Sequence, residues 1–108
     1  MAIYYQNDCA VEIEDLFDER ANSGAGEYIS SGTVTAQLVD IDGANIGAAI
    51  TMSYSTLKNG VSGHWWTGII EEDVAVTLGQ AVDVVVTAIA SSDRVYKATQ
   101  RHQVVRRT

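Results

Sequence analysis

Two aspartates one residue apart and followed by glycine form the DIDG stretch at 40–43, a spacing that can open a cation-binding loop. Calcium demands roughly six to eight oxygens, and an EF-hand loop closes on a glutamate at about its twelfth position. Counted from Asp40, Asp42 fits the third place, but Ala44, Ala48 and Thr51 fall where further oxygens are needed. Too few ligands arrive locally. Flanked by two alternating runs, DIDGAN reads as a hairpin connection in which Gly43 or Asn45 takes a positive φ.

Nucleophilic chemistry needs a base within hydrogen-bond reach, and His64 and His102 are the only imidazoles. Cys9 is the only cysteine, so no intramolecular disulfide forms, and one cysteine with two distant histidines is a poor zinc set. Cys9 and His64 stay open as a pair in space. The chain has no GxSxG elbow, phosphate-cradling glycine loop or HExxH. The acids of EED at 71–73 read as a solvated corner. These residues predict a protein that is not an enzyme, with no cofactor and no bound metal.

The elements that position these residues are strands. In TVTAQLV, Val34, Ala36 and Leu38 share one face; in AITMSYS, Ile50, Met52 and Tyr54 do; in VDVVVTAI, Val82, Val84, Val86 and Ala88 do. Such period-two runs, rich in β-branched residues, are strands with one buried side. Turn signals separate them, the clearest being Asn59-Gly60. The chain has no proline, so its turns rest on Gly, Asn, Asp and Ser. Strands are predicted at about 2–6, 10–14, 33–40, 48–56, 63–70, 82–90 and 95–106, with a short helical turn within 12–21. At 108 residues the chain is one domain, with a Gly/Ser-rich loop at 21–32 and residues 1–9 as an extended arm. Seven short antiparallel strands suit an all-β, immunoglobulin-like two-sheet sandwich.

Charge is spread unevenly. The net charge is −7, yet residues 94–108 carry Arg94, Lys97, Arg101, Arg106 and Arg107 with no acid. The acidic sign disfavours nonspecific nucleic-acid binding. The opening MAIYYQNDC reads as no signal peptide, and no apolar run is long enough for a membrane helix.

Interface candidates follow from side-chain direction. Trp65 and Trp66 must point to opposite faces of one strand, so one anchors the core and the other lies outward, under a loop or against a partner. Tyr4 and Tyr5 belong either to a solvated edge strand or to a contact arm. Arg101, Arg106 and Arg107 either guard an edge strand or dock onto carboxylates such as Glu12, Asp15 and Asp18, within the chain or on a neighbouring copy.

The succession GTVTAQLVDIDGANIGAAITMSYS, NGVSGHWWTGII, LGQAVDVVVTAIA and a closing VVRR resembles small immunoglobulin-like structural proteins of tailed-bacteriophage and prophage virions. These occupy neck, head–tail joining, tail or capsid-decoration positions. The resemblance implies a virion protein assembled in the cytoplasm of a bacterial host, partnered by portal, neck, tail or capsid proteins and by copies of itself. It carries over no catalytic residues. The runner-up reading is a carbohydrate- or receptor-binding module that stacks sugar rings on Trp65, Trp66 or Tyr54.

Overall fold

The computed structural model describes residues 2–4, 8–71, 74–90 and 94–106. The chain is all-β, built from β1 (Ala2–Tyr4), β2 (Cys9–Glu14), β3 (Phe17–Asp18), β4 (Glu27–Tyr28), β5 (Thr33–Asp40), β6 (Asn45–Thr51), β7 (Ser53–Lys58), β8 (Val61–Ile70), β9 (Ala81–Ile89) and β10 (Val95–Val105). A five-stranded sheet has the order β1-β10-β9-β5-β6, a three-stranded sheet the order β2-β8-β7, and β3 pairs with β4 in a small ribbon. Every pairing is antiparallel except β1 with β10, which run parallel with Ile3 beside Val104.

The two larger sheets share one apolar core. The five-stranded sheet contributes Val34, Ala36 and Leu38 from β5 and Val82, Val84, Val86 and Ala88 from β9, and the three-stranded sheet contributes Val11, Trp66 and Ile70. These are the faces that the alternation predicts. Cross-strand register makes them coincide, because Ala36 lies opposite Val86 and Leu38 opposite Val84. The Cα extents of 46 × 34 × 17 Å describe a thin slab with two broad outer faces.

Among the described residues there are ten strands where seven were predicted, and one difference is topological. The run predicted as a single strand over 48–56 belongs to two sheets, since β6 pairs with β5 and β7 pairs with β8. The chain crosses at Met52, whose amide still donates to Val34 O at 2.8 Å while its side chain is buried. Alternation continues through the crossing, so no break marks it in the sequence.

The helical turn expected within 12–21 is also replaced. Glu12 and Glu14 lie in β2 opposite Thr67 and Trp65, because Cys9 and Val11 are buried on its inner side and Ile13 packs there too. Asp15 then turns the chain with φ 60°, and a short 3-10 turn follows at Asn22–Gly24.

Two turns show why their residues are needed. Asn59 and Gly60 have φ of 51° and 80°, the paired positive values of a two-residue hairpin turn between β7 and β8. At the DIDG bend Asp40 Oδ1 accepts from the amides of Asp42 and Ala44, each at 2.9 Å, and Gly43 takes φ 88°. The carboxylate nearest the supposed cation is therefore bonded to its own turn.

Candidate interaction surface

On the three-stranded sheet, alternation sends Trp66 inward and Trp65 outward. Trp66 packs in the core, where its indole N–H donates to Ile29 O at 2.8 Å and its ring lies 5.4 Å from that of Tyr54. Trp65 faces away from the core, yet only 7% of it is exposed. Its ring lies back over Gly63 on the same strand, where a Cβ would stand 2.5 Å from the ring carbons. Its indole N–H donates to Glu14 Oε2 at 2.9 Å, from the cross-strand neighbour on β2. Neither a loop nor a partner is needed to cover it. Its own sheet does so, because glycine leaves room and glutamate supplies the acceptor.

The outward rows of this sheet read Ala10–Ile69, Glu12–Thr67–Ser53 and Glu14–Trp65–Ser55. Trp65 forms part of the floor of a shallow recess of about 590 Å³ that also includes Leu57 and Ile69. Leu57 is 60% exposed and Ile69 48%. Lys58 and Glu12, which also line the recess, form an ion pair. An apolar centre with a polar rim has the anatomy of a protein contact surface.

The other expected interface residues lie elsewhere. Arg101 sits on the outer face of the five-stranded sheet, on the opposite side of the slab. There Arg101 Nε and Nη2 donate to the two carboxylate oxygens of Asp83, at 2.5 and 3.1 Å. The guanidinium holds Asp83 below the usual carboxylate range, and Asp83 raises the pKa of Arg101 in turn. Its charge is thus met within the chain. Arg106 is exposed just past β10. Tyr4 ends β1 beside Val105, while Tyr5 and Arg107 lie outside the described residues.

Residues 1–30, whose only base is Arg20 among seven acids, meet the basic segment that begins at Arg94 within one chain at Asp18, which is buried and so is not a carboxylate for a neighbour to grip. Asp18 Oδ1 accepts from the Tyr96 hydroxyl at 2.5 Å, from Arg94 Nη1 at 3.1 Å and from the Arg20 amide at 3.0 Å. The Tyr96 hydrogen bond, aided by the Arg20 amide and Arg94, outweighs burial and lowers the pKa of Asp18. The same bond raises that of Tyr96.

The residues that could have done acid–base chemistry are packed apart. Cys9 is buried opposite Ile70 at one end of the β2–β8 ladder, and His64 lies past the other end, roughly 20 Å of strand away. His64 stacks on Tyr28 with ring centroids 3.8 Å apart, and its Nδ1 lies 2.6 Å from the Tyr54 hydroxyl. His102 is inside the core side of β10. No three His, Cys, Asp or Glu among the described residues are grouped to hold a metal ion.

Sequence reasoning singled out Trp65 but missed Gly63, Glu14, Leu57 and Ile69. Gly63 and Ile69 share Trp65's face by simple alternation. Glu14 and Leu57 arrive from neighbouring strands, so only the register of β2 and β7 against β8 places them. Set against known proteins, the chain matches no family model, no curated protein and no solved structure.

Proposed function

We propose that the chain is a non-enzymatic structural component of a bacteriophage virion, working by burying surface against other proteins in a neck, head–tail or tail assembly. The observation that carries this reading is the outward recess over Trp65, with Leu57 and Ile69 left open around it. Exposed apolar surface rimmed by polar groups is a common mark of protein contact sites. The strand orders support an immunoglobulin-like sandwich, since β2-β8-β7 faces β1-β10-β9-β5-β6 and hairpins β5–β6 and β7–β8 lie in different sheets. The resemblance of the GTVTAQLVDIDG, NGVSGHWWTGII and LGQAVDVVVTAIA runs supplies the virion setting.

The test is light scattering of the purified chain mixed with portal, head-completion, tail and capsid proteins encoded beside it. A defined complex with one of them, weakened by Leu57→Asp together with Ile69→Asp, is the expected result. A neighbourhood without virion genes, or no complex with any of these proteins, would overturn the reading.

The binding of carbohydrate is the second reading, and burial of both tryptophans moves it elsewhere. Phe17 and Tyr28 are each 40% exposed and meet edge to face at 5.1 Å on the β3–β4 ribbon. A glycan array whose binders are lost on Tyr28→Ala would favour it; an empty array removes it.

A further inference from the structure

We infer that the Lys58–Glu12 ion pair is a strap across the outer face of the three-stranded sheet, shutting the Trp65 indole away until salt or a partner parts the two charges. This rests on the reading of the recess as a contact surface and adds how access to it is controlled. Register places the strap. β8 lies between β2 and β7. Lys58 stands beside Val61 of β8, and Glu12 stands beside Thr67 on its other side. A bond between the two side chains must therefore pass diagonally over β8 between those positions. The Trp65 ring occupies that interval, lying back over Gly63. All three side chains line one recess. The aliphatic stem of Lys58 thus covers aromatic surface while its ammonium meets the carboxylate. This accounts for an uneven exposure, since Leu57 and Ile69 stay open while the larger indole between their register positions is covered.

The two ends of the strap differ. Glu12 is held in place, because its carbonyl accepts from the Gln100 side-chain amide at 3.1 Å. Lys58 is the last residue of β7, next to the Asn59-Gly60 turn, and its long stem has many rotamers. Lys58 is the end that moves. The paired side chains are 38% and 29% exposed, and pairs this open to water favour the closed form by only about fivefold or less. Such a strap closes without locking. It shields the indole in the free chain, and a partner that brings its own charges to Glu12 and Lys58 opens it easily. A partner that needs the indole binds more weakly in proportion to the closed fraction.

Fluorescence quenching by acrylamide, a neutral quencher, tests the strap in a Trp66→Phe chain, where Trp65 is the remaining indole. Glu12→Gln and Lys58→Ala should each raise the quenching constant about two- to threefold. Exchanging the charges, Glu12→Lys with Lys58→Glu, should restore most of the shielding. Salt at about 1 M, where the screening length falls to roughly 3 Å, should raise quenching when the strap is intact and leave the Lys58→Ala chain unchanged. Should Trp66→Phe prevent folding, hydrogen exchange at the Trp65 indole N–H, followed by NMR in the chain with both tryptophans, makes the same comparisons. Single variants that leave Trp65 as shielded as before, or a charge-exchanged chain as open as they are, overturn the strap. No partner enters this measurement, so a chain that binds no virion protein would sink the contact-surface reading and leave the strap standing.

Discussion

The Tyr96 hydroxyl donates a 2.5 Å hydrogen bond to Asp18 Oδ1, joining residues 78 positions apart. It ties the ribbon that follows β2 to the start of β10. Arg94, two residues before Tyr96, reaches the same carboxylate, so one buried acid fastens the loop at 15–31 to the five-stranded sheet.

Acid should loosen this fastening first. Asp18 and Asp83 have folded pKa values lowered from 3.8, chiefly by hydrogen bonds from Tyr96 and Arg101 respectively. The folded state then binds fewer protons than the unfolded chain near that value. Their stabilisation is complete above the unfolded pKa and is lost as pH falls through the folded one. Asp18→Asn should therefore lower the melting temperature at pH 7, with the gap from wild type narrowing below about pH 4. An equal gap at pH 7 and pH 2 would refute the linkage.

Removal of Trp66 and of Trp65 should separate core from surface. Trp66→Ala should cost about 3–5 kcal/mol of unfolding free energy, the range for deleting a buried large aromatic. In the wild type, iodide should quench neither indole appreciably, since both are nearly covered. Strong quenching of Trp65, isolated in a Trp66→Phe background, would show that the ring does not lie over Gly63.

His102 carries the opposite expectation. It is 4% exposed, and neither ring nitrogen has a hydrogen-bond partner among the described residues. A buried polar group left unpaired costs stability that an apolar group of similar size does not. His102→Leu should raise stability by about 1 kcal/mol, read as a higher urea midpoint at unchanged slope. A lower midpoint would mean the imidazole is bonded in solution.

Gly32 precedes β5 with φ 95°, and a Cβ there would collide with the carbonyl oxygen of Ile89. Gly32→Ala should cost about 1–3 kcal/mol through backbone strain alone. A Gly24→Ala control, with positive φ but no described atom within 4 Å of an added Cβ, should cost less. Equal losses in the two variants would deny the close approach of β5 to the end of β9.

Burial in β5 and β9 was written in the sequence. Val34, Ala36 and Leu38, with Val82, Val84, Val86 and Ala88, recur at every second position, mostly between polar residues such as Thr35, Gln37, Asp83 and Thr87, and a pleated strand turns that period into one inner and one outer face. The Asn59-Gly60 turn was equally local, because positive φ at two successive residues is a property of those residue types. The tertiary structure alone decided which sheet each strand joins. Chain crossing at Met52 leaves the alternation intact, so AITMSYS reads as one strand though two sheets divide it. Likewise the alternation puts Trp65 and Trp66 on opposite faces, but register against β2 brings Glu14 to the outward indole and makes its burial possible. Local periodicity encodes which side of a strand is apolar; pairing depends on contacts between distant segments, and those carry no mark in the run that makes them.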